Sequence, residues 1–537
     1  ISPTFRNYEG QKQYYQFADV LDVDRYKVDG KETDVVVGVR ELDLSGVPTG
    51  QRNWVNQHTV YTHGYGVVGA YGNQRGPEGQ PNWVASAMPQ TSKIGTFEPR
   101  VYFGESSPEY SIVGAPEGAD PVEIDYPRGK DGSSETKTTF SGNGGPKIGD
   151  SFTKLLYALK YQSEQILFSN LVNEDSQILY DRDPKTRVQK VAPYLELDSD
   201  PYPSVVDGRI VWIVDGYTTS DNYPGAAKSN LSGATSDSTT ATSRNVRALR
   251  DGQVNYIRNS VKATVDAYDG SVTLYAWDEE DPILKTWQKV YPSTLKPISE
   301  MSGELMSHVR YPTDLFKVQR DILGIYHVDK AGSFAQQDNR WQTPNDPRSD
   351  AMLQPPYYLT MQMPGQDEPR FSMFSTFIPA SQGAGGSRDV LMGYLAVDSD
   401  AGAEKGVKAE GYGQLRMLEI DTDTTVPGPG QVQNTYNSDT AVVPQLNLLQ
   451  QGESEVIYGN LLTLPVGGGL LYVQPVYVQS SEGTQLPRLQ KVLVAFGDRV
   501  AFENTLTEAL DTLFGGDSGA TGGDDEVEPT DPGTTDP

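Results

Sequence analysis

The chain has 537 residues, too many for one ordinary core, and a formal net charge of −28, with 54 Gly, 36 Pro, 31 Tyr and no Cys. That charge argues against nucleic acid and anionic lipid surfaces as direct partners, since phosphate neutralisation needs clustered Lys and Arg. The lack of thiols excludes disulfides, thiolate nucleophiles, Fe–S clusters and Cys-ligated zinc, and the glycine and proline content argues against a helical bundle.

No segment reaches the roughly 18 apolar residues that span a bilayer. The chain opens at Ile1 without an initiator Met, as expected of a mature or excised fragment. The absence of cysteine favours an extracytoplasmic address.

In chain order, DVVVGVRELDL (34–44) reads as a strand, and RNWVNQHTVYTHGYGVVGAYG (52–72) as an aromatic, glycine-rich stretch holding His58 and His63. A helix is predicted over 151–168, capped by Ser151, with Phe152, Leu155, Leu156 and Leu159 at i, i+3, i+4 and i+7. A second begins at Asp183 with Pro184 in its first turn. It runs into PYLELDSDPYPSVVDGRIVWIVDGYTTSDNYP (193–224), where an apolar run from Arg209 to Val214 predicts a buried strand. Asp207-Gly208 reads as the turn before it and Asp215-Gly216 as its end.

Residues 228–243 are low in complexity and predicted mobile. The pattern from 245 to about 262 reads as helix. Strands follow around AYDGSVTLYAW, then helices over 281–291, 299–308 and 313–326. From about 355 to 500 strands dominate, a helix covers 503–514, and the last 23 residues are an acidic tail predicted to be disordered. The expected fold is therefore α+β, a large mixed ectodomain. Its regions are 1–225 (mixed), 226–350 (helix-rich, with the mobile insert 228–243), 351–514 (β-rich) and the disordered tail 515–537.

Few reaction signatures are present. There is no GxSxG elbow, no HExxH and no phosphate-binding glycine loop. His58, His63, His308 and His327 read as hydrogen-bonded structural histidines. Glu196, Asp198, Asp200 and Asp207 are the candidate metal ligands: alternate carboxylates beside a turn supply the oxygens that calcium takes, although Pro201 and Pro203 break an EF-hand register. Glu196 with Asp215 is a candidate carboxylate pair for glycoside hydrolysis. No organic cofactor is expected.

Six blocks, taken together, resemble a known family. They are RNWVNQHTVYTHGYGVV (52–68), PRVYFGE with YSIVG (99–114), APYLELDSDPYP with VVDGRIVWIVDGYTTS (192–220), NYIRNSVKATVDAYDGSV (255–272), HVRYPTDLFKVQ (308–319) and GNLLTLPVGGGLLYVQPVYVQ (459–479). The family is one of large actinobacterial multipass membrane proteins catalogued only as uncharacterised. This chain resembles their extracytoplasmic C-terminal portion. The resemblance implies a place on the outer face of the cell membrane and the protein's own membrane-spanning portion as a partner, with no catalytic residues carried over. Three functions are compatible with these residues: a non-enzymatic module binding or passing an envelope lipid, glycan or protein through a groove open toward Ile1; a carboxylate-dependent hydrolase of cell-wall polysaccharide; and a calcium-stabilised structural module.

Overall fold

The structure is a computed structural model. It describes residues 2–10, 12–128, 134–337, 339–349, 351–380, 389–421, 423–481 and 486–519. The expected α+β class holds, and among the described residues the architecture is built on four antiparallel-dominated sheets of five or six strands, with smaller two-stranded sheets beside them and helices packed between. The first sheet runs β1 (Asp22–Val28), β2 (Lys31–Val39), β3 (Val67–Arg75), β4 (Pro81–Ser86) and β5 (Thr91–Ser92) in sequential order. Between β2 and β3, His58 lies in a helical turn over Asn56–Val60, not in an extended segment.

The helix predicted over 151–168 is α1 (Ser151–Tyr161), stopped where Gln162 takes a left-handed φ of 51°, followed by a short turn of helix. Its cap is Asp150, whose carboxylate accepts from Phe152 and Thr153 N–H. Its apolar stripe faces outward. Phe152 and Leu159 are 68% and 67% exposed, while Ala158 and the half-buried Tyr157 and Tyr161 turn toward Ile148 and Tyr110. Helix α2 (Pro184–Val191) starts as expected, with Asp183 accepting from Thr186 N–H.

The second sheet is organised on one long strand. Two short strands, β6 (Glu196–Leu197) and β7 (Tyr202–Val206), pair with the same edge of β8 (Arg209–Ser220). Asp207 (φ 50°) and Gly208 (φ 75°) form the tight turn that joins β7 to β8, as the Asp-Gly pair predicts. The strand does not end at Asp215-Gly216: a bulge there lets it continue to Ser220.

The stretch 228–243, predicted mobile, folds as α3 (Leu231–Thr235) and α4 (Ser238–Thr242). Its polar residues are cap residues: Asn230 accepts from Gly233 N–H, and Asp237 forms a capping box with Thr240. The helix predicted from 245 is also corrected. Tyr256–Asp266 is strand β9, paired with β8 along its length, and Val261, Ala263 and Val265 point into the core at every second position. Strands β10 (Val272–Ala276) and β11 (Leu295–Pro297) complete the sheet, the last pair parallel. The β8–β9 pairing thus joins segments on either side of residue 225.

Helix α5 (Pro282–Val290) is capped by Asp281, α6 (Gly303–His308) by Ser302, and α7 spans Thr313–Tyr326 as its periodicity predicts. The β-rich C-terminal region forms two more sheets. One contains β12 (Tyr357–Met361), β13 (Arg370–Pro379), β14 (Gly393–Asp398) and β15 (Leu415–Glu419). After helices α8 (Pro429–Ser438) and α9 (Val442–Leu449), the other contains β16 (Ser454–Tyr458), β17 (Leu462–Val466), β18 (Gly469–Ser480), β19 (Arg488–Phe496) and β20 (Arg499–Glu503), closed by α10 (Leu506–Phe514). Of the predicted tail, residues 520–537 lie outside the described residues.

Two cores fix the geometry of the site. In the first, Val35, Val37 and Val67 of the first sheet face Ile210, Trp212, Val214 and Val265 of the second, with Val188 of α2 packed on them. Each such side chain stabilises the fold by about 1.5–3 kcal/mol through burial. In the second, Leu315, Phe316 and Val318 of α7 lie between Tyr217 of β8 and Met373, Phe377 and Val397 of the third sheet. The N-terminal turn of α7 is therefore buried, and its free N–H groups need partners inside the protein. Among the described residues, no helix is long and apolar enough to cross a membrane.

Candidate functional site

The four candidate metal ligands diverge. Glu196 pairs with Arg250 at 2.9 Å on the surface. Asp198 is buried and accepts from the Tyr217 hydroxyl and, at 3.0 Å, from Asp314 N–H. Asp207, in its turn, accepts from the Ser302 hydroxyl at 2.9 Å. Asp200 alone faces a large cavity. Among the described residues, no three His, Asp or Glu side chains are grouped to hold an ion. The Glu196–Asp215 pair does not flank an open cleft either: Asp215 is 3% exposed and ion-paired with Lys262 inside the protein.

What the fold does bring together is a buried polar layer around the start of α7. Asp198 does the work of a cap from outside the helix, satisfying an orphan N–H where the helix dipole favours negative charge. Asp314 accepts from Ser199 N–H at 2.8 Å. Lys317, one turn on, reaches Asp237 of the α4 cap at 2.8 Å and Asp314 at 3.5 Å. Arg310, just before the helix, holds Asp22 of β1 at 2.6 Å and stands 3.6 Å from Asp200, its guanidinium stacked 3.8 Å from the Tyr202 ring centroid. His308 binds Asp24 at 2.8 Å, and Ser204 donates to the same carboxylate at 2.9 Å.

Burial in this layer raises carboxyl pKa values where cations are too few. Burial, then the charge of Asp22, pushes Asp200 up to about 8. Burial, then Asp198, pushes Asp314 up to about 7. Asp22 is also raised by burial, against the pull of Arg310. Asp24 goes the other way, because His308 and its other donors outweigh burial. Lys317 is raised because Asp314 and Asp237 outweigh the desolvation that opposes its charge.

Part of this layer, Asp22, Ser199, Asp200, Asp237, Arg310 and Lys317, forms the floor of a cavity of about 2380 Å³. Its walls come from Ser2–Thr4, the β1–β2 hairpin, α4, the segment before β12, and β16 and β18 across from them. Its lining holds thirteen Asp or Glu side chains against five Lys or Arg, with Tyr71, Tyr357, Tyr358, Phe371, Tyr458 and Tyr477 among them. Sites for drug-sized ligands occupy about 300–1,000 Å³, so the space suits something larger. Behind the floor lies a much smaller cavity of about 10 Å³, lined by Asp22, Asp200, Glu41 and Glu105. Burial raises both glutamates, Glu41 to about 7.

Sequence reasoning found Asp198 and Asp200 but missed Asp22, Asp237, Arg310, Asp314 and Lys317. The signal available was faint: charged residues at positions of α7 that its own periodicity assigns to the buried face.

A family profile described as "Uncharacterised protein family (UPF0182)" matches residues 1–449. A UPF0182 protein of Clavibacter michiganensis is 61% identical over 540 residues, 99% of this chain and 54% of the relative. One from Bifidobacterium longum is 56% identical (98% of the chain, 49% of the relative), and one from Micrococcus luteus 54% (97% and 50%). The chain spans about half the length of the curated relatives it matches. No solved structure matches it.

Proposed function

The chain belongs to the uncharacterised protein family UPF0182, and from that premise we propose that it is a ligand-binding module on the extracytoplasmic face of a longer membrane protein. Its ligand is a large, polar component of the cell envelope, a glycan bearing peptide. One observation carries this reading: a cavity of about 2380 Å³ whose walls combine tyrosines with an excess of carboxylates. Aromatic faces suit sugar rings, and carboxylates accept from hydroxyl and amine donors. The same lining disfavours passage of a lipid chain, because desolvating so many carboxyl groups against an acyl tail is costly.

Titrating the chain calorimetrically with soluble fragments of enzymatically digested cell wall tests the reading. Saturable binding, weakened when Tyr71 or Tyr458 is replaced by alanine, is expected; no heat of binding with any fragment overturns it. Protease treatment of intact cells carrying the full-length protein tests its address, since this portion should be digested, and full protection would refute an outer location. A hydrolase is favoured by one feature, the carboxyl of Asp200 held protonated near neutrality in the cavity. Release of reducing ends that disappears in Asp200→Asn would establish it over plain binding.

A further inference from the structure

The floor of the cavity is unbalanced in charge. Asp22, Asp200 and Asp237 line it and Asp198 and Asp314 lie beneath, and among the described residues the Lys and Arg side chains within 4 Å of these acids are Arg310 and Lys317. Both cations are committed: Arg310 to Asp22 at 2.6 Å, Lys317 to Asp237 at 2.8 Å. An anionic ligand would therefore find no free positive charge at the floor. Asp200 is the least satisfied acid, its nearest cation 3.6 Å away on a guanidinium already paired, and its side chain keeps 19% of its surface open. Beside it Ser199, 1% exposed and lining the same cavity, has a buried hydroxyl oxygen without a hydrogen-bond partner. A buried hydroxyl left unpaired costs about 1–3 kcal/mol, which a ligand that pairs it recovers.

Resting on the binding reading above, we infer that the floor at Ser199 and Asp200 is a recognition site for a primary alkylammonium group of the ligand, as on a lysine-like side chain. An ammonium brings three donors and one positive charge to a place with an unpaired hydroxyl and an excess of carboxylate. A metal ion fits less well, because among the described residues no three carboxylates converge.

The groups facing Asp200 are Asp22 from β1, Asp198 ahead of it in the chain, Arg310 before α7, Lys317 on α7 and Glu105 from behind. Because burial and Asp22 push Asp200 up to about 8, it holds a proton near neutrality and must release it to meet an ammonium. Affinity then climbs with pH, by up to about tenfold per unit below that value, and levels off above it, while the alkylamine stays charged.

The test is calorimetry on the whole chain at about 0.15 M salt, which screens the general negative surface. The probes are acetyl-Gly-Lys-Gly-amide and the same peptide acetylated on the lysine Nζ. The lysine peptide should bind one to one, and the acetylated one about tenfold more weakly or worse. Asp200→Asn should abolish the difference, Ser199→Ala should shrink it, and Glu404→Gln, exposed and outside the cavity, should leave it intact. Thermal unfolding checks that each variant is folded, and Ser199→Ala decides if Asp200→Asn is not. Equal affinity for the two peptides overturns the ammonium site while leaving the binding reading standing. So does a preference that survives both Asp200→Asn and Ser199→Ala. Failure of the lysine peptide to bind also overturns it, and the cell-wall fragment titration then decides the binding reading on its own.

Discussion

Lys262→Met is the most direct probe of the buried ionic layer. Lys262 on β9 and Asp215 on β8 are cross-strand partners, 1% and 3% exposed, and form an ion pair. Burial lowers the lysine and raises the aspartate, each against the attraction of the other, so the pair's net contribution is small. Removing one member is another matter. Asp215 would keep only the Asn259 amide, at 2.9 Å, while the Arg310 carbonyl that Lys262 also binds retains the Tyr412 hydroxyl at 3.2 Å. The loss therefore falls on one uncompensated buried carboxylate, about 3–5 kcal/mol. Urea unfolding followed by tryptophan fluorescence is the assay, since the Lys262 ammonium lies 5.3 Å from the Trp277 ring centroid. With a slope of about 2–3 kcal/mol/M, the midpoint should fall by about 1–2.5 M. The sign with pH is fixed as well. A carboxyl whose folded pKa is raised favours the folded state below its unfolded value and loses that advantage as pH rises through the folded one. The gap between wild type and variant should thus be smallest near about pH 4 and widen toward neutrality. Adding Asp215→Asn should restore at least about 2 kcal/mol. A single-variant cost below about 1 kcal/mol, or a double variant as damaged as the sum of the two, refutes the reasoning.

Other consequences are simpler to read. Gly270→Ala should cost more than about 1 kcal/mol, because φ is +69° and a Cβ would sit 2.6 Å from the Phe103 ring; an unchanged urea midpoint would contradict that. Asp237→Asn keeps an acceptor for the α4 cap but removes the closer counter-charge of Lys317, a loss of about 1–3 kcal/mol by the same assay, and a neutral result would mean Asp314 alone suffices. Leu159→Ser should stay within about 0.5 kcal/mol of wild type in thermal unfolding, as its side chain is 67% exposed; a larger loss would mean that face of α1 is packed after all.

The sequence by itself determined what is local. Asp183-Pro184 starts α2, the periodicity of 313–326 matches α7 end to end, and Asp207-Gly208 supplies the two positive φ angles of a tight hairpin, because each signal acts through its own backbone. The C-terminal strands were legible for the same reason, in β-branched and aromatic runs bounded by turn residues. The tertiary structure decided the rest. The Ser- and Thr-rich stretch 228–243 reads as too polar to fold, yet Leu231 and Ala234 join the core around α7 and Asp237 meets Lys317, 80 residues away in the chain. Residues 256–262 read as helix but extend as β9, since pairing with β8 outweighs a weak local preference. Among the acids of 193–224, spacing suggested a shared ion, whereas packing sends Glu196 to Arg250, Asp198 to the start of α7 and Asp207 to Ser302. Only Asp200 is left facing the cavity. Which carboxylate stays charged depends on burial and on the cations that long-range contacts bring to it, and spacing along the chain encodes neither.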